Sequence, residues 1–216
     1  MIIPTLAMPY CEPMTAENLL IIFAKNPVLG HCKTRLAAGI GAQNALEVYK
    51  ILLAHTAKIS HPLACTKVVF YSQEVIETDL WEPEFFKKKL QAKGDLGQKM
   101  AQAFEWGFEQ GYKKIVLIGT DLIDLEAADI QQAFKALETV NTVFGPATDG
   151  GYYLIGQAVL QPALFTDIPW STAAVLEKSL ALLPNHSYEL LETKNDIDQI
   201  EDLKNIPVFL PFIAES

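Results

Sequence analysis

Residues 113–145 of the chain, KKIVLIGTDLIDLEAADIQQAFKALETVNTVFG, carry the pattern that indicates its fold class. The apolar run at 113–119 predicts a buried strand, and 142–145 predict a second one. The stretch between them predicts a helix over 126–138, which begins among acidic residues that suit a helix N-terminus. Apolar strands joined by crossover helices indicate a mainly parallel sheet with helices on both faces, a three-layer α/β/α arrangement.

The same alternation of strands and helices extends outward in both directions. Further strands are predicted at 19–25, 67–72 and 152–155, and further helices at 42–60 and 96–110. The last third predicts a helix at 171–183, a strand at 188–193, a short helix at 198–204 and a proline-broken tail. No linker or repeat divides the chain, so we expect a single α/β domain over 18–216 that follows a loosely ordered leader of residues 1–17.

Composition narrows the range of functions. The chain has 216 residues, half of them hydrophobic, and carries 17 Lys and Arg against 26 Asp and Glu, a net charge of −9. This balance is typical of a globular protein. The acidic pI of about 4.9 argues against binding to nucleic acid or to an anionic membrane, which both favour basic surfaces. A small anionic ligand remains compatible with it, since such a ligand needs only local positive charge.

The start of the chain and its cysteines predict a cytoplasmic protein without a membrane span. The longest apolar run near the start, 19–24, has six residues, whereas a membrane-spanning helix needs about 20. The first 18 residues lack the basic region of a signal peptide. The three cysteines, Cys11, Cys32 and Cys65, form no CxxC pair and predict no disulfide framework. The four histidines show no metal-ligand spacing.

The loop after the first predicted strand, 25–35, is rich in cations. It contains Lys25, Lys33 and Arg35 and no acid. It matches neither the P-loop nor the dinucleotide-binding glycine pattern. Ligands of parallel α/β sheets bind outside the carboxyl ends of the strands, so these cations could face a diphosphate there. The alternative is that they are solvated loop charges.

Carboxylates follow two other predicted strands. Asp121 comes directly after the strand at 113–119 and is a candidate to bind Mg²⁺ or Mn²⁺ or a ribose. Asp124 is explained as the N-cap of the next helix. Asp149 precedes the pair Gly150 and Gly151, which could be a turn between antiparallel strands or a place where the backbone approaches a ligand. Two carboxylates and a cationic loop are the minimum apparatus for a metal-bound nucleoside diphosphate.

These loops together resemble a known family. The motifs are K-x-P-x-x-G-x-x-K-T-R-L at 25–36, GDLG at 94–97, GTD at 119–121 and GPxxDGGYYLIG at 145–156, followed by WST at 170–172 and NDID at 195–198. In this order they are similar to the DUF2064 proteins, glycosyltransferase-like members of the nucleotide-diphospho-sugar transferase superfamily with the GT-A fold. The resemblance covers about residues 18–206, and the DGGYYLIG stretch is its most specific part.

The resemblance implies roles for matching residues. The cations Lys25, Lys33 and Arg35, together with Gly30 of the same motif, would lie along the nucleotide phosphates, and Asp95 and Gly97 would border the nucleotide or the sugar. Asp121 would hold a divalent cation, and Asp149 with Gly150 and Gly151 would flank the metal and the acceptor, so Asp121 and Asp149 are the predicted catalytic and metal-binding pair.

Two positions depart from the family pattern. Ile123 stands where proline is usual, and Gln98-Lys99-Met100 stand where Glu-Arg-Met is usual. Lysine does not reproduce the planar hydrogen-bonding fork of arginine, so the affinity for the donor or the choice of donor can differ. Neither departure removes the carboxylates of Asp121 and Asp149.

Other polar and aromatic residues receive weaker predictions. Trp170 could shape an acceptor pocket, although aromatic side chains at strand ends, including Tyr152 and Tyr153, more often serve packing. Asp196 and Asp198 follow a predicted strand and could support the metal, and Glu201 with Asp202 is expected on a solvated helix face.

The leading hypothesis is a metal-dependent transferase that acts on a nucleotide-diphospho-sugar and a small-molecule acceptor. The first alternative is a nucleotidyltransferase of the same fold, which would transfer NMP from an NTP to a phosphorylated small molecule. The second is a non-catalytic nucleotide-binding or interaction module. A Rossmann oxidoreductase is disfavoured, because no glycine fingerprint follows the first strand.

Overall fold

The computed structural model describes residues 17–214, so the predicted leader, apart from Glu17, lies outside the described residues. The strands are β1 (Asn18–Ala24), β2 (Thr66–Tyr71), β3 (Phe86–Leu90), β4 (Lys114–Ile118), β5 (Thr142–Pro146), β6 (Tyr152–Gln157) and β7 (Tyr188–Leu190). The helices are α1 (Thr34–Ile40), α2 (Ala42–Ser60), α3 (Leu96–Glu109), α4 (Ala127–Ala136), α5 (Val175–Ala181), α6 (Ile200–Leu203) and α7 (Leu210–Ala214). Short 3₁₀ helices lie at Pro162–Phe165 and Pro207–Phe209.

The strands form one mixed sheet in the order β3-β2-β1-β4-β6-β5-β7. Strand β1 runs parallel to β2 and β4, β2 is parallel to β3, and β5 is parallel to β7. Strand β6 is antiparallel to both of its neighbours, β4 and β5. The parallel half places the carboxyl ends of β1 and β4 side by side, and this juxtaposition positions the candidate site.

Helices cover both faces of the sheet and complete the predicted three layers. One core packs sheet residues such as Leu20 against α2 and α4, and the other packs residues such as Leu19 against α3. Adjacent residues of β1 thus point to opposite faces, as the strand geometry requires. A third cluster packs α1 and α2 against the C-terminal α6, which brings the end of the chain back to the first loop. The fold class predicted from sequence is confirmed.

Five elements of the structure have no counterpart in the sequence-based prediction: helices α1 and α7, strand β3 and the two 3₁₀ helices. Helix α1 was not predicted, and it has only seven residues. Strand β3 was not predicted either, because it carries three lysines on an edge strand, where charge rather than an apolar pattern is favoured.

Three helices begin later than the sequence predicts, and one of them is α6, which begins at Ile200 instead of 198. Helix α5 begins at Val175 instead of 171, because Ser171 has a φ of 64°, outside the right-handed helical region. Asp124 is not the cap of α4, so that interpretation is wrong. Helix α4 begins after Glu126, whose backbone N–H donates to the carboxylate of Asp129.

Within residues 17–214, no helix has both the length and the apolar character needed to cross a membrane. Cys32 and Cys65 are buried free thiols, and Cys11 lies outside the described residues.

Candidate active site

Three adjoining cavities open at the carboxyl edge of β1 and β4. The largest, here called the cleft, has a volume of about 440 Å³ and lies between these strands and the start of α3. Its lining residues include Phe23, Lys25, Asp95, Lys99, Asp121 and Asp196. Apolar side chains make up most of its lining and a few polar groups the rest, which is the usual composition of a small-molecule site.

The second cavity, here called the polar cavity, has a volume of about 330 Å³ and contains charges of both signs. Its lining residues are Lys25, Lys33, Thr34, Arg35, Asp121, Asp149, Ser171, Asp196 and Asp198. The third, here called the small cavity, has a volume of about 160 Å³. It is lined by Leu96, Asp149, Gly151, Tyr152, Trp170, Ser171, Thr172, Val175 and Asp196. Among the described residues, Asp196 is the only one that lines all three cavities.

The two cations at the start of α1 have very different environments. Lys33 adopts a left-handed backbone conformation, with φ 49° and ψ 46°, at the N-cap position of α1. Its side chain is 3% exposed and its Nζ forms an ion pair with Asp121, while Asp198 Oδ1 lies 3.7 Å from the same Nζ. Arg35 is 67% exposed and pairs with Asp198 at 3.0 Å. Lys33 is therefore a fixed positive charge in the site, and Arg35 is a solvated one.

A buried tyrosine joins the loops that follow β1 and β4. The hydroxyl of Tyr49 on α2 accepts a hydrogen bond from Lys25 N at 2.8 Å and lies 3.0 Å from Thr120 Oγ1. Burial raises the pKa of Tyr49, so the phenol stays neutral and serves as a clamp. Tyr49 lies within the helix predicted at 42–60, and nothing in the local sequence distinguishes a clamp from a core residue.

The acidic segment 195–198 is brought to Asp121 from the far end of the chain. The backbone N–H of Ile197 donates to the backbone O of Asp121, with an N to O distance of 2.9 Å. This bond satisfies a backbone group on each side and fixes the segment beside the end of β4. The acids of two distant loops therefore face the same space.

The side chain of Asp202 on α6 holds the acidic segment in shape. Its carboxylate accepts hydrogen bonds from Asp198 N, Gln199 N and the Asn195 side chain at 2.7–2.9 Å. Glu201 is exposed as expected, whereas Asp202 is half-buried and its carboxylate is taken up by these hydrogen bonds.

Asp196 is the most perturbed acid of the site. Its Oδ1 is buried and has no hydrogen-bond partner among the described residues. Burial above all, together with the nearby carboxylate of Asp121, raises the pKa of Asp196 to about 7, and Lys33 opposes the shift. Sequence reasoning gave Asp196 and Asp198 only a supporting role, and their closeness to Asp121 depends on a contact between distant parts of the chain.

Asp149, Gly150 and Gly151 lie in the turn that joins the antiparallel strands β5 and β6, as one of the two sequence interpretations held. Asp149 is exposed, lines the polar and small cavities, and accepts a hydrogen bond from Gly151 N at 2.8 Å. Gly150 has a φ of 88°, and a Cβ there would lie 2.7 Å from the carbonyl carbon of Ala173. Glycine is thus required because the turn and residues 171–174 approach each other closely.

The other predicted binding residues have structural roles of their own. Asp95 lines the cleft and is also the N-cap of α3, where it accepts from Gln98 N at 2.8 Å. A Cβ on Gly97 would lie 2.6 Å from Trp170 Nε1, so this glycine allows Trp170 to pack against α3. Gly30 lies in an exposed turn with a φ of 76° and lines none of the three cavities. Contact of Asp95, Gly97 and Gly30 with a nucleotide stays a prediction.

The charged residues do not form a complete metal cage. Within residues 17–214, no group of three or more His, Cys, Asp or Glu has a geometry that could hold a metal ion. The carboxylates of Asp121, Asp149, Asp196 and Asp198 nevertheless line the same polar cavity.

Comparison with known proteins identifies relatives of this fold. The family described as "Uncharacterized protein conserved in bacteria (DUF2064)" matches residues 56–172. A crystal structure from Desulfovibrio desulfuricans G20, provisionally described as a nucleotide-diphospho-sugar transferase, is 27% identical and superposes with a TM-score of 0.82. The match covers 93% of this chain and 94% of that one. None of the curated proteins matches the chain.

More distant structures share the fold alone. A cytidylyltransferase from Leptospira borgpetersenii is 12% identical with a TM-score of 0.52, and the match covers 87% of this chain and 83% of that one. The 4-diphosphocytidyl-2C-methyl-D-erythritol synthase from Anaerococcus prevotii is 7% identical with a TM-score of 0.55, and the match covers 92% and 95%. The fold is therefore that of the nucleotide-diphospho-sugar transferases, as the sequence motifs predicted.

Proposed function

The chain belongs to the DUF2064 family, and from this premise we propose that it is a metal-dependent transferase that acts on a nucleotide-diphospho-sugar and a small-molecule acceptor. The observation that carries the proposal is the joining of two cavities. The cleft, whose lining is mostly apolar, shares Lys25, Asp121 and Asp196 with the polar cavity, which the three cations of the first loop line. A nucleoside fits the first environment and a diphosphate the second.

The cations are arranged for a diphosphate. Lys33 is fixed by burial, and Arg35 is free to turn toward a ligand because most of its side chain is in solvent. Lys25 stands between the cleft and the polar cavity. A diphosphate in the polar cavity would exchange the ion pairs with Asp121 and Asp198 for charge-assisted hydrogen bonds to phosphate oxygens. The same cations would offset the charge that develops on the leaving nucleotide.

The donor atoms of the polar cavity fit a divalent cation. Asp121 and Asp149 are the ligands predicted from sequence, and the buried, unpartnered Oδ1 of Asp196 is a further carboxylate oxygen that a cation would satisfy. Mg²⁺ is usually held by one or two carboxylates together with substrate phosphates, so an incomplete protein cage is compatible with it. Mg²⁺ or Mn²⁺ would supply electrostatic stabilisation to the diphosphate.

The acceptor would enter beside Asp149, which faces both the polar and the small cavity. Asp149 would orient an acceptor hydroxyl by accepting a hydrogen bond from it. The hydrogen bond from Gly151 N already holds the Asp149 carboxylate in place. Trp170 and Tyr152 would exclude water from one side of the small cavity.

A nucleotidyltransferase is the second candidate. The polar cavity is lined by three cations, which suit the triphosphate of an NTP as well as a diphosphate. The products distinguish the two reactions, because a sugar transferase releases NDP and a nucleotidyltransferase releases pyrophosphate.

The test incubates the full chain and Mn²⁺ with a panel of NDP-sugars and NTPs, and measures free NDP and pyrophosphate. We expect NDP from at least one sugar nucleotide. Release of pyrophosphate from an NTP, with no NDP from any sugar nucleotide, would select the second candidate.

Calorimetry then tests the site itself. We expect the nucleotide to bind in a Mn²⁺-dependent manner, and we expect Asp121→Ala to abolish this dependence, because the carboxylate nearest to Lys33 is lost. Glu201→Ala, an exposed acid outside the three cavities, is the matched control. Absence of nucleotide binding by the unmodified chain would favour an interaction module, a view that the departures at Ile123 and Lys99 motivate.

A further inference from the structure

A fourth cavity, here called the edge pocket, lies at the opposite edge of the sheet from the candidate active site. Strands β2 and β3 run parallel and begin at Thr66 and Phe86, and the pocket opens beside these amino ends. Its volume is about 220 Å³, and it is lined by Cys65, Thr66, Lys67, Pro83, Glu84, Phe85, Phe86 and Lys87. None of these residues lines the cleft, the polar cavity or the small cavity, so the edge pocket is a separate space.

A buried lysine brings a positive charge to the edge pocket. Lys67 is 5% exposed, and its Nζ donates hydrogen bonds to the backbone O of His61 at 3.2 Å and of Leu63 at 2.8 Å. An ammonium group has three N–H donors, so one donor of Lys67 has no hydrogen-bond acceptor among the described residues. No carboxylate in the described part of the chain forms an ion pair with this Nζ.

Lys88 shows which group is missing beside Lys67. Its side chain is 9% exposed, and its Nζ also donates to two backbone carbonyls, those of Ile76 and Glu77, both at 2.9 Å. The third donor of Lys88 goes to the carboxylate of Asp79 at 2.8 Å. Lys67 has the two carbonyl bonds without the carboxylate. A carboxylate bound in the edge pocket would therefore complete for Lys67 the arrangement that Asp79 completes for Lys88.

The other ionisable groups of the pocket do not offset the charge of Lys67. Glu84 is exposed and forms no ion pair with it in the described part of the chain. Burial raises the pKa of Cys65 to about 11, so this thiol is neutral at pH 7. The end of α2, near the two carbonyls, contributes only about half an elementary negative charge. Burial lowers the pKa of Lys67, the direction expected of an ammonium group without a full counter-charge.

The walls of the edge pocket suit a flat apolar group. The Nζ of Lys67 lies 5.9 Å from the centroid of the Phe86 ring. Phe85 packs against the ring of His61 with centroids 4.0 Å apart and is still 36% exposed, and Pro83 adds to the apolar lining. A ring among these side chains would bury apolar surface while a carboxylate on the ring accepted a hydrogen bond from Lys67.

We propose that the edge pocket binds a small monocarboxylate with a flat apolar body, of the aromatic-acid class, through an ion pair with Lys67. The volume of about 220 Å³ is below the roughly 300–1,000 Å³ of a site for a drug-sized ligand, so one ring with its carboxylate is the size that fits. This second site shares no residue with the proposed transferase site, and its failure would leave the proposed function standing.

The test is calorimetry on the full chain with benzoate, benzamide and inorganic phosphate. Benzamide has the same ring as benzoate without the charge, and phosphate has charge without a ring. We expect benzoate to bind one to one with a Kd of about 1 mM or below, and at least about tenfold more tightly than either of the other probes, a difference of about 1.4 kcal/mol. Benzamide or phosphate binding as tightly as benzoate overturns the proposal, and so does the absence of benzoate binding at about 10 mM.

Variants test whether benzoate binds at Lys67. Lys67→Met nearly keeps the length of the side chain and removes its charge, so we expect benzoate to bind at least about tenfold more weakly. Lys194→Met is the matched control, because Lys194 is a largely buried lysine that pairs with Asp129 and lines none of the four cavities. We expect the control to bind benzoate as the unmodified chain does, and thermal unfolding checks that both variants fold.

A variant at the exposed wall keeps the proposal testable if Lys67→Met does not fold. Phe85→Ala removes one apolar face of the pocket and is expected to weaken benzoate binding at least about threefold. Leu90→Ala is its control, since Leu90 is 51% exposed and lies on β3 outside the edge pocket. An unchanged affinity for benzoate in a folded Lys67→Met or Phe85→Ala variant overturns the proposal.

Discussion

The cationic loop at 25–35 and the acidic segment at 195–198 are opposite halves of one site. The loop contains Lys25, Lys33 and Arg35 without an acid, and the segment contains Asp196 and Asp198 without a cation. In the fold the two halves meet across the polar cavity, where Arg35 pairs with Asp198 over a separation of 163 residues. Each half has an excess of charge that the other offsets.

The comparison also shows two ways of holding a charge. Lys33 is 3% exposed and forms an ion pair with Asp121, whereas Arg35 is 67% exposed. Buried charges depend on their partners, and solvated charges contribute little by themselves. A site with one buried and one exposed cation can hold a phosphate firmly at Lys33, while the Arg35 side chain moves to fit the same phosphate.

The largest effect is expected for Lys33→Met, which nearly keeps the length of the side chain and removes its charge. We expect kcat to fall about a hundredfold, the order of loss seen when one donor to a developing charge is removed. The measurement is steady-state kinetics with the sugar nucleotide identified in the product assay.

A thermal unfolding measurement is the control that Lys33→Met remains folded. The thermal unfolding midpoint should change little, since Asp121 is 37% exposed and water can replace its lost partner. Lys50→Met, at an exposed pair with Glu47, should leave kcat unchanged. A loss of less than threefold in Lys33→Met would show that the buried cation is not a phosphate ligand.

An intermediate effect is expected for Asp202→Ala, which removes the acceptor that shapes the acidic segment. The loss of its three hydrogen bonds should lower stability by about 1–2 kcal/mol, as for a helix cap. For a chain of this size this corresponds to a fall of roughly 2–8 °C in the unfolding midpoint. Differential scanning calorimetry measures it, and Glu201→Ala is the neighbouring control.

The smallest effect is expected for Arg35→Met. An exposed ion pair contributes about 1 kcal/mol or less, so kcat/KM should fall by less than about fivefold, and the difference should shrink as the ionic strength rises. The kinetics are repeated at low and high salt. A loss as large as that of Lys33→Met would remove the distinction between the fixed and the solvated cation.

Local sequence patterns predicted most of the elements. The helix expected at 42–60 matches α2 to the residue, and the strand at 67–72 matches β2 within one residue at each end, because apolar periodicity directly reflects which face is buried. Strand β3, with lysines at three of five positions, gave no such pattern. The predicted carboxylates Asp121 and Asp149 do line one polar cavity, which follows from the meeting of loops at one edge of the sheet.

Hydrophobic periodicity and motif order are properties of neighbouring residues, and they were enough to predict the fold class, the family and the cationic loop. Only the folded chain shows that Lys33 is buried against Asp121, that Asp196 stands where three cavities meet, and that the small cavity contains no cation among the described residues. These features depend on contacts between residues far apart in the chain. Burial and charge pairing arise only when such contacts form, because they depend on distance in space and not on distance along the sequence.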